Sequence, residues 1–173
     1  NKGVKGAEVF FWTDGVLAEV FRFNTTLTKL PSLAKRSPDD VTVVTAANLR
    51  NPDLLFRSDP FGFGGTSHVL RLSGWVHANE SGYYTFVLGA NAGGRLSVDG
   101  KTVVNISSGQ STFQERTGRI KLHAGWVPIE VLTFDNGNPE VQLSYARPGR
   151  SLEVVPPWAL SPARTHYSGR SGT

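Results

Sequence analysis

The stretches Tyr83-Tyr84-Thr85-Phe86-Val87-Leu88 and Val127-Pro128-Ile129-Glu130-Val131-Leu132-Thr133-Phe134 decide the fold. In an extended chain successive side chains point to opposite faces, so Tyr84, Phe86 and Leu88 share one side of the first stretch. In the second, Val127, Ile129, Val131 and Thr133 share one side while Glu130 and Leu132 share the other. A helix would need apolar residues three and four apart, so alternation of this kind predicts strands half-buried in an antiparallel sheet. On either side of these stretches the same pattern predicts strands, giving a set over 16–23, 69–77, 83–89, 95–98, 101–105, 117–123, 127–134 and 141–145, with a further β-rich run over 7–13. Asp14-Gly15 and Asp99-Gly100 are hairpin signals, because a tight two-residue turn needs positive φ at both positions. Only 39–55 has room for a helix; there Val41, Val43 and Val44 favour a strand, and Pro52 stops a helix after a turn or two. The pattern predicts an all-β chain, a sandwich or a barrel.

Composition narrows the function classes. At 173 residues the chain is long enough for one self-sufficient domain core. With no Cys, thiolate metal sites, disulfide frameworks and thiol catalysis are excluded. No apolar run approaches the 18 or so residues that a spanning helix needs, so no membrane insertion is expected. The net charge of +4 comes without a run of five like charges, so nucleic acid is not an expected partner. The chain starts at Asn1 with no charged-then-apolar leader, which reads as a processed or excised piece. Segment 31–40 is expected to be an exposed loop, and the Gly-rich 59–65 to place Phe61 and Phe63 as plugs on the core. Past Pro148 the composition shifts toward Pro, then Ser, Gly and Arg, predicting one domain over 1–160 and a flexible tail over 161–173.

No catalytic constellation stands out. His68, His77, His123 and His166 fall in no metalloprotease or Cys/His spacing, and no Gly-x-Ser-x-Gly occurs. Gly62 to Gly65 lacks the Lys-Ser/Thr of a phosphate loop, and Asp39, Asp40, Asp53 and Asp59 sit in no recognisable catalytic frame. Asp99 is read as a turn residue. Trp75, mid-strand, is expected in the core; Trp126, after Ala124-Gly125, is a candidate sugar-stacking face. Asn24, Asn79 and Asn105 head N-x-Ser/Thr acceptors and are glycosylation candidates.

The order of motifs carries a resemblance. Gly15-Val16-Leu17-Ala18-Glu19-Val20-Phe21 precedes Leu72-Ser73-Gly74-Trp75-Val76, then Ser81-Gly82-Tyr83-Tyr84-Thr85-Phe86-Val87-Leu88. Gly94-Arg95-Leu96-Ser97-Val98-Asp99-Gly100-Lys101 follows, and then Leu122-His123-Ala124-Gly125-Trp126-Val127-Pro128-Ile129-Glu130-Val131 and Val141-Gln142-Leu143-Ser144-Tyr145. Together, from about Gly15 to Leu160, these resemble the protective-antigen (PA-fourteen) domain family. The resemblance implies a two-sheet antiparallel β-sandwich in an extracellular or cell-surface protein. It implies a carbohydrate-binding or adhesive module rather than an enzyme, found also as an accessory part of carbohydrate-active enzymes. In lectin-type members two adjacent Asp hold a Ca²⁺ ion that bridges to sugar hydroxyls, with more ligands from a late loop. Here that element falls on Asn91, Ala92 and Gly93, and the late loop is Asp135-Asn136-Gly137-Asn138-Pro139. Ca²⁺ draws its affinity from six to eight oxygens, many of them anionic, so the loss of two carboxylates predicts no metal and no cofactor. The expected ligand residues are Asn91, Gly93, Trp126, Asp135, Asn136 and Asn138, and the expected partner is a glycan or another extracellular protein. The alternative is a structural or protein-interaction module of a larger surface or filament protein that has lost sugar binding.

Overall fold

The structure, a computed structural model, describes residues 14–45, 47, 66–107, 112–137 and 139–162. Its strands are β1 (Val16–Phe23), β2 (Asp40–Val44), β3 (Ser67–Ala78), β4 (Gly82–Ala90), β5 (Gly93–Val98) and β6 (Lys101–Ile106). They continue as β7 (Gln114–Leu122), β8 (Gly125–Asp135), β9 (Val141–Ala146), β10 (Glu153–Val154) and β11 (Leu160–Ser161). Two antiparallel sheets result. The larger runs β2-β1-β3-β8-β5-β6, with β11 extending the edge of β3; the smaller runs β10-β9-β4-β7. The all-β chain is as the alternation predicts, and of the sandwich and barrel it leaves open the chain forms the sandwich that the family resemblance implies.

The two inner faces meet in one apolar core. Val16, Ala18 and Val20 of β1, Leu70, Leu72 and Val76 of β3, and Val127, Ile129 and Val131 of β8 are buried from the larger sheet. Tyr84, Phe86 and Leu88 of β4 face them with Leu143 and Tyr145 of β9, and the rings of Tyr84, Phe86 and Tyr145 lie within 6.5 Å of one another. At one edge β6 meets β7 closely: a Cβ on Gly118 would lie 2.0 Å from the Val103 carbonyl oxygen, so only glycine fits. Asp99 and Gly100 join β5 to β6 with φ of 52° and 74°, the left-handed pair that a two-residue hairpin turn demands.

A second, smaller cluster lies on the outer face of the larger sheet. Phe21, Val69, Leu132 and Phe134 project outward there, and the loop after β1 covers them with Leu27, Leu30 and Leu33. This loop occupies the exposed segment expected over 31–40, except that Asp40 already starts β2.

Two expectations are corrected. Ser161, assigned by composition to the tail, is buried and pairs with Trp75. Trp75 is half-buried on the outer face, not in the core, because its position is odd relative to the inward Leu70, Leu72 and Val76. Being mid-strand does not choose a face; parity does. The run 7–13, the Gly-rich 59–65, Asp53, Asp59, His166 and Asn138 lie outside the described residues.

Candidate functional site

Among the described residues, two places bring polar side chains together in a concave or loop setting. The first is the sandwich end that holds the β4–β5 hairpin and the loop after β8. Gly93 pairs with Phe134, which brings Asn91, Ala92 and Gly93 beside Asp135 and Asn136. Asn91 is half-buried, Gly93 is buried, and Ala92 packs on the outer apolar cluster. Three hydrogen bonds tie the Asn136 amide to the protein. Its Oδ1 accepts from the Leu27 N–H (2.7 Å) and the Ser67 hydroxyl (2.8 Å), and its Nδ2 donates to the Leu27 carbonyl (2.9 Å). The Gly137 N–H donates to Asp135 Oδ1 at 2.6 Å, closing the turn. Asn136 thus fastens the long loop after β1 to the sheet.

Trp126 is not part of this end. It sits near the start of β8, nine residues from Asp135, a separation of about 30 Å along the strand. There it packs on His77, with ring centroids 4.9 Å apart. Asn24, Asn79 and Asn105 are all exposed; the Tyr84 hydroxyl, within 3.2 Å of Asn79 Oδ1, braces the turn after β3.

The donors at the loop end do not suit Ca²⁺. Ala92 supplies no side-chain oxygen, the Asn136 oxygen already accepts two hydrogen bonds, and one Asp135 oxygen accepts from Gly137. Among the described residues no three His, Asp or Glu side chains gather into a possible metal site. The adjacent Asp39 and Asp40 are held by Arg22: Asp39 Oδ2 accepts from the Arg22 backbone N–H at 2.6 Å, and Asp40 pairs with the Arg22 guanidinium at 2.7 Å.

The second place is the outer face of the larger sheet, where register sets the side chains in cross-strand rows. One row runs Glu19, Arg71, Leu132, Arg95 and the next Ser73, Glu130, Ser97. Trp75 and Pro128 form the next, and His77 with Trp126 the last. A hollow of about 600 Å³ is lined by Ser73, Trp75, Ser97, Gly100, Pro128 and Glu130. A second of about 390 Å³ lies beyond it, between Leu30, Leu33, Arg71, Arg95 and Leu132, and Glu130 borders both. Glu19 grips Arg71 through two hydrogen bonds of 2.6 and 3.0 Å, and that bonding holds the guanidinium pKa above its ordinary value, against partial desolvation. Glu130 and Arg95, by contrast, have no hydrogen-bond or ion-pair partner among the described residues, and nor do the Ser73 and Ser97 hydroxyls.

Pro128 lines the hollow at the end of the β5–β8 ladder. Its carbonyl accepts from the Asp99 N–H, so its nitrogen also points toward β5. The β5–β8 pairing ends at Val98 and Ile129, so Pro128 stands just past the last pair of that ladder, where a residue without an N–H is tolerated. Glu130, Arg95, Ser73 and Ser97 are absent from the site residues that the sequence suggests. The available signal was parity: Glu130 shares the outward face of β8 with Leu132, and Trp75 that of β3 with Ser73.

The PA14 domain model matches residues 12–158, and the chain belongs to the PA14 domain family. Among solved structures it is similar to a PA14 sugar-binding domain from an RTX adhesin, with TM-score 0.66 and 18% identity over 87% of this chain and 99% of that one. It is similar also to the PA14 domain of the MpAFP antifreeze protein, with TM-score 0.69 and 15% identity over 94% and 96% of the two chains. An anti-sigma factor domain-containing protein matches at TM-score 0.68 and 21% identity over 88% of this chain, which spans about half (49%) of that protein. No curated protein sequence matches. Among the described residues no helix is long and apolar enough to cross a membrane.

Proposed function

We propose that this PA14 domain is a non-catalytic recognition module of the cell surface or extracellular space that binds glycan, or mediates adhesion through glycan, without Ca²⁺. The observation that carries the reading is at the loop end: a hairpin, Asn91-Ala92, stands beside Asp135 where the family resemblance puts twin carboxylates and an ion. The fold supports the sugar part of the reading, since the same sandwich carries a sugar-binding domain of an RTX adhesin. Loops held by two sheets vary without cost to the core, which makes this end a natural ligand face. In this reading Asn91 and the second Asp135 oxygen face ligand, and Asn136 holds the face in shape. A glycan array run with and without a chelator tests it. Binding to at least one glycan class, unchanged by chelator, supports the reading; no glycan binding removes it.

One observation favours the alternative, a structural or protein-interaction module. β2 is the outer strand of the larger sheet, and its Val41 and Val43 are 55% and 47% exposed. An edge with apolar side chains invites pairing with another chain. Light scattering on the chain and on Val41→Lys separates the two: self-association lost in the variant would support this second reading.

A further inference from the structure

We propose that the outer face of the larger sheet is a second binding groove, built for a neutral oligosaccharide, separate from the loop end. Its floor is the row Ser73, Glu130, Ser97; Trp75 and Pro128 stand on one side, Arg71 and Arg95 on the other. From the Trp75 row to the Arg71 row is four residues, about 13 Å along the strands, enough for a short chain of sugar rings. Glu130 lies about 17 Å along β8 from Asp135, so the groove shares no residue with the loop end.

Three features point to a sugar. The first is the unspent polar capacity, among the described residues, of Glu130, Arg95, Ser73 and Ser97, all four half-buried. Groups in such a setting normally find partners inside the protein, and a polyhydroxylated ligand supplies both kinds. Its hydroxyls donate to the Glu130 carboxylate and accept from the Arg95 guanidinium. The second is the aromatic wall. Trp75 lines the hollow, and the diagonal register step from Pro128 to Trp126 continues it toward the His77–Trp126 pair. Such a strip suits the C–H faces of successive pyranose rings. The third is charge. Glu19, bonded to Arg71, and Glu130, within electrostatic reach of it, supply two negative charges on this face, and Arg71 and Arg95 supply two positive ones. A groove with no net charge favours a neutral ligand over a sulfated or uronic chain.

The test is a titration of the whole ¹⁵N-labelled chain, followed by NMR, with cellopentaose, laminaripentaose, mannopentaose and N-acetylchitopentaose in turn. At least one should shift the Trp75 indole N–H together with the Ser73, Ser97 and Glu130 amides, and leave Gly137 unmoved. Trp75→Ala should weaken that binding about tenfold or more, as loss of a central aromatic contact does. Glu130→Gln keeps the shape and replaces the outward carboxylate; it should weaken binding about tenfold through the lost charged hydrogen bond, and it carries the test if Trp75→Ala does not fold. Shifts confined to the loop end would overturn the groove and leave the loop-end reading standing. No shift with any of the four sugars at millimolar concentration would also overturn it, as would unchanged affinity in Glu130→Gln. Groove shifts with a silent loop end would sustain this proposal while removing the other.

Discussion

Asn136→Ala separates a fastening residue from a ligand contact. The wild-type amide makes three hydrogen bonds, two to the Leu27 backbone and one to the Ser67 hydroxyl. Each such bond contributes a net 0.5–1.5 kcal/mol or so, and the exposure of Asn136 favours the lower half of that range. The expected loss is about 2 kcal/mol, or roughly 4–8 °C in Tm for a chain of this size. Asn136→Asp keeps an acceptor for the Leu27 N–H and Ser67 but gives up the donation to the Leu27 carbonyl, so about 1 kcal/mol is expected to be lost. Calorimetric melting of the three proteins, with glycan affinity measured well below the lowest Tm, is the assay. A graded fall in Tm is expected, largest in Asn136→Ala. An unchanged Tm in Asn136→Ala with lost glycan binding would refute it, because the amide would then face ligand and not Leu27.

Gly118→Ala should lower the urea midpoint at unchanged m-value by about 1–3 kcal/mol equivalent, because the new Cβ would press into the Val103 carbonyl and force β6 and β7 apart. Tyr145→Phe should stabilise the chain by about 1 kcal/mol, since the buried Tyr145 hydroxyl has no hydrogen-bond partner among the described residues. Burial also pushes the Tyr145 phenol above its ordinary value near 10, so the folded state keeps its proton while the unfolded state loses it. Wild-type stability is then full below about pH 10 and falls as pH rises toward the folded value, and the gap to Tyr145→Phe should widen in that window. Asp99→Gly should leave both stability and glycan binding within a few tenths of a kcal/mol, whereas Asp99→Val should cost about 1–2 kcal/mol in denaturation, because Asp99 sits at φ 52°.

How far each element could be read from the chain depends on where its signal lies. β1 matches its predicted bounds because Asp14-Gly15 and the polar run after Phe23 punctuate both ends. β7 starts at Gln114, three residues before the predicted start, since Gln114-Glu115-Arg116 has no apolar alternation and is held by pairing with β4. In β8 the alternation gave the inward face correctly, with Val127, Ile129, Val131 and Thr133 all buried. The role of Asn136 was out of reach: its partner Leu27 is 109 residues away, and no local pattern announces that contact. The outer groove was hidden for the same reason. Its rows combine β1, β3, β8 and β5, and only the sheet order makes Ser73, Glu130 and Ser97 neighbours. Trp126, singled out for its exposure after a turn, is placed by that same order at the far end from Asp135, beside Trp75.

Recognition without a divalent ion is put to the test by calorimetric titration of the whole chain with CaCl₂. The predicted result is no saturable heat up to about 1 mM, the weak limit of extracellular Ca²⁺ modules, and a Tm that does not move. A saturable one-site isotherm below that limit, lost in Asp135→Asn and accompanied by a rise in Tm, would contradict it.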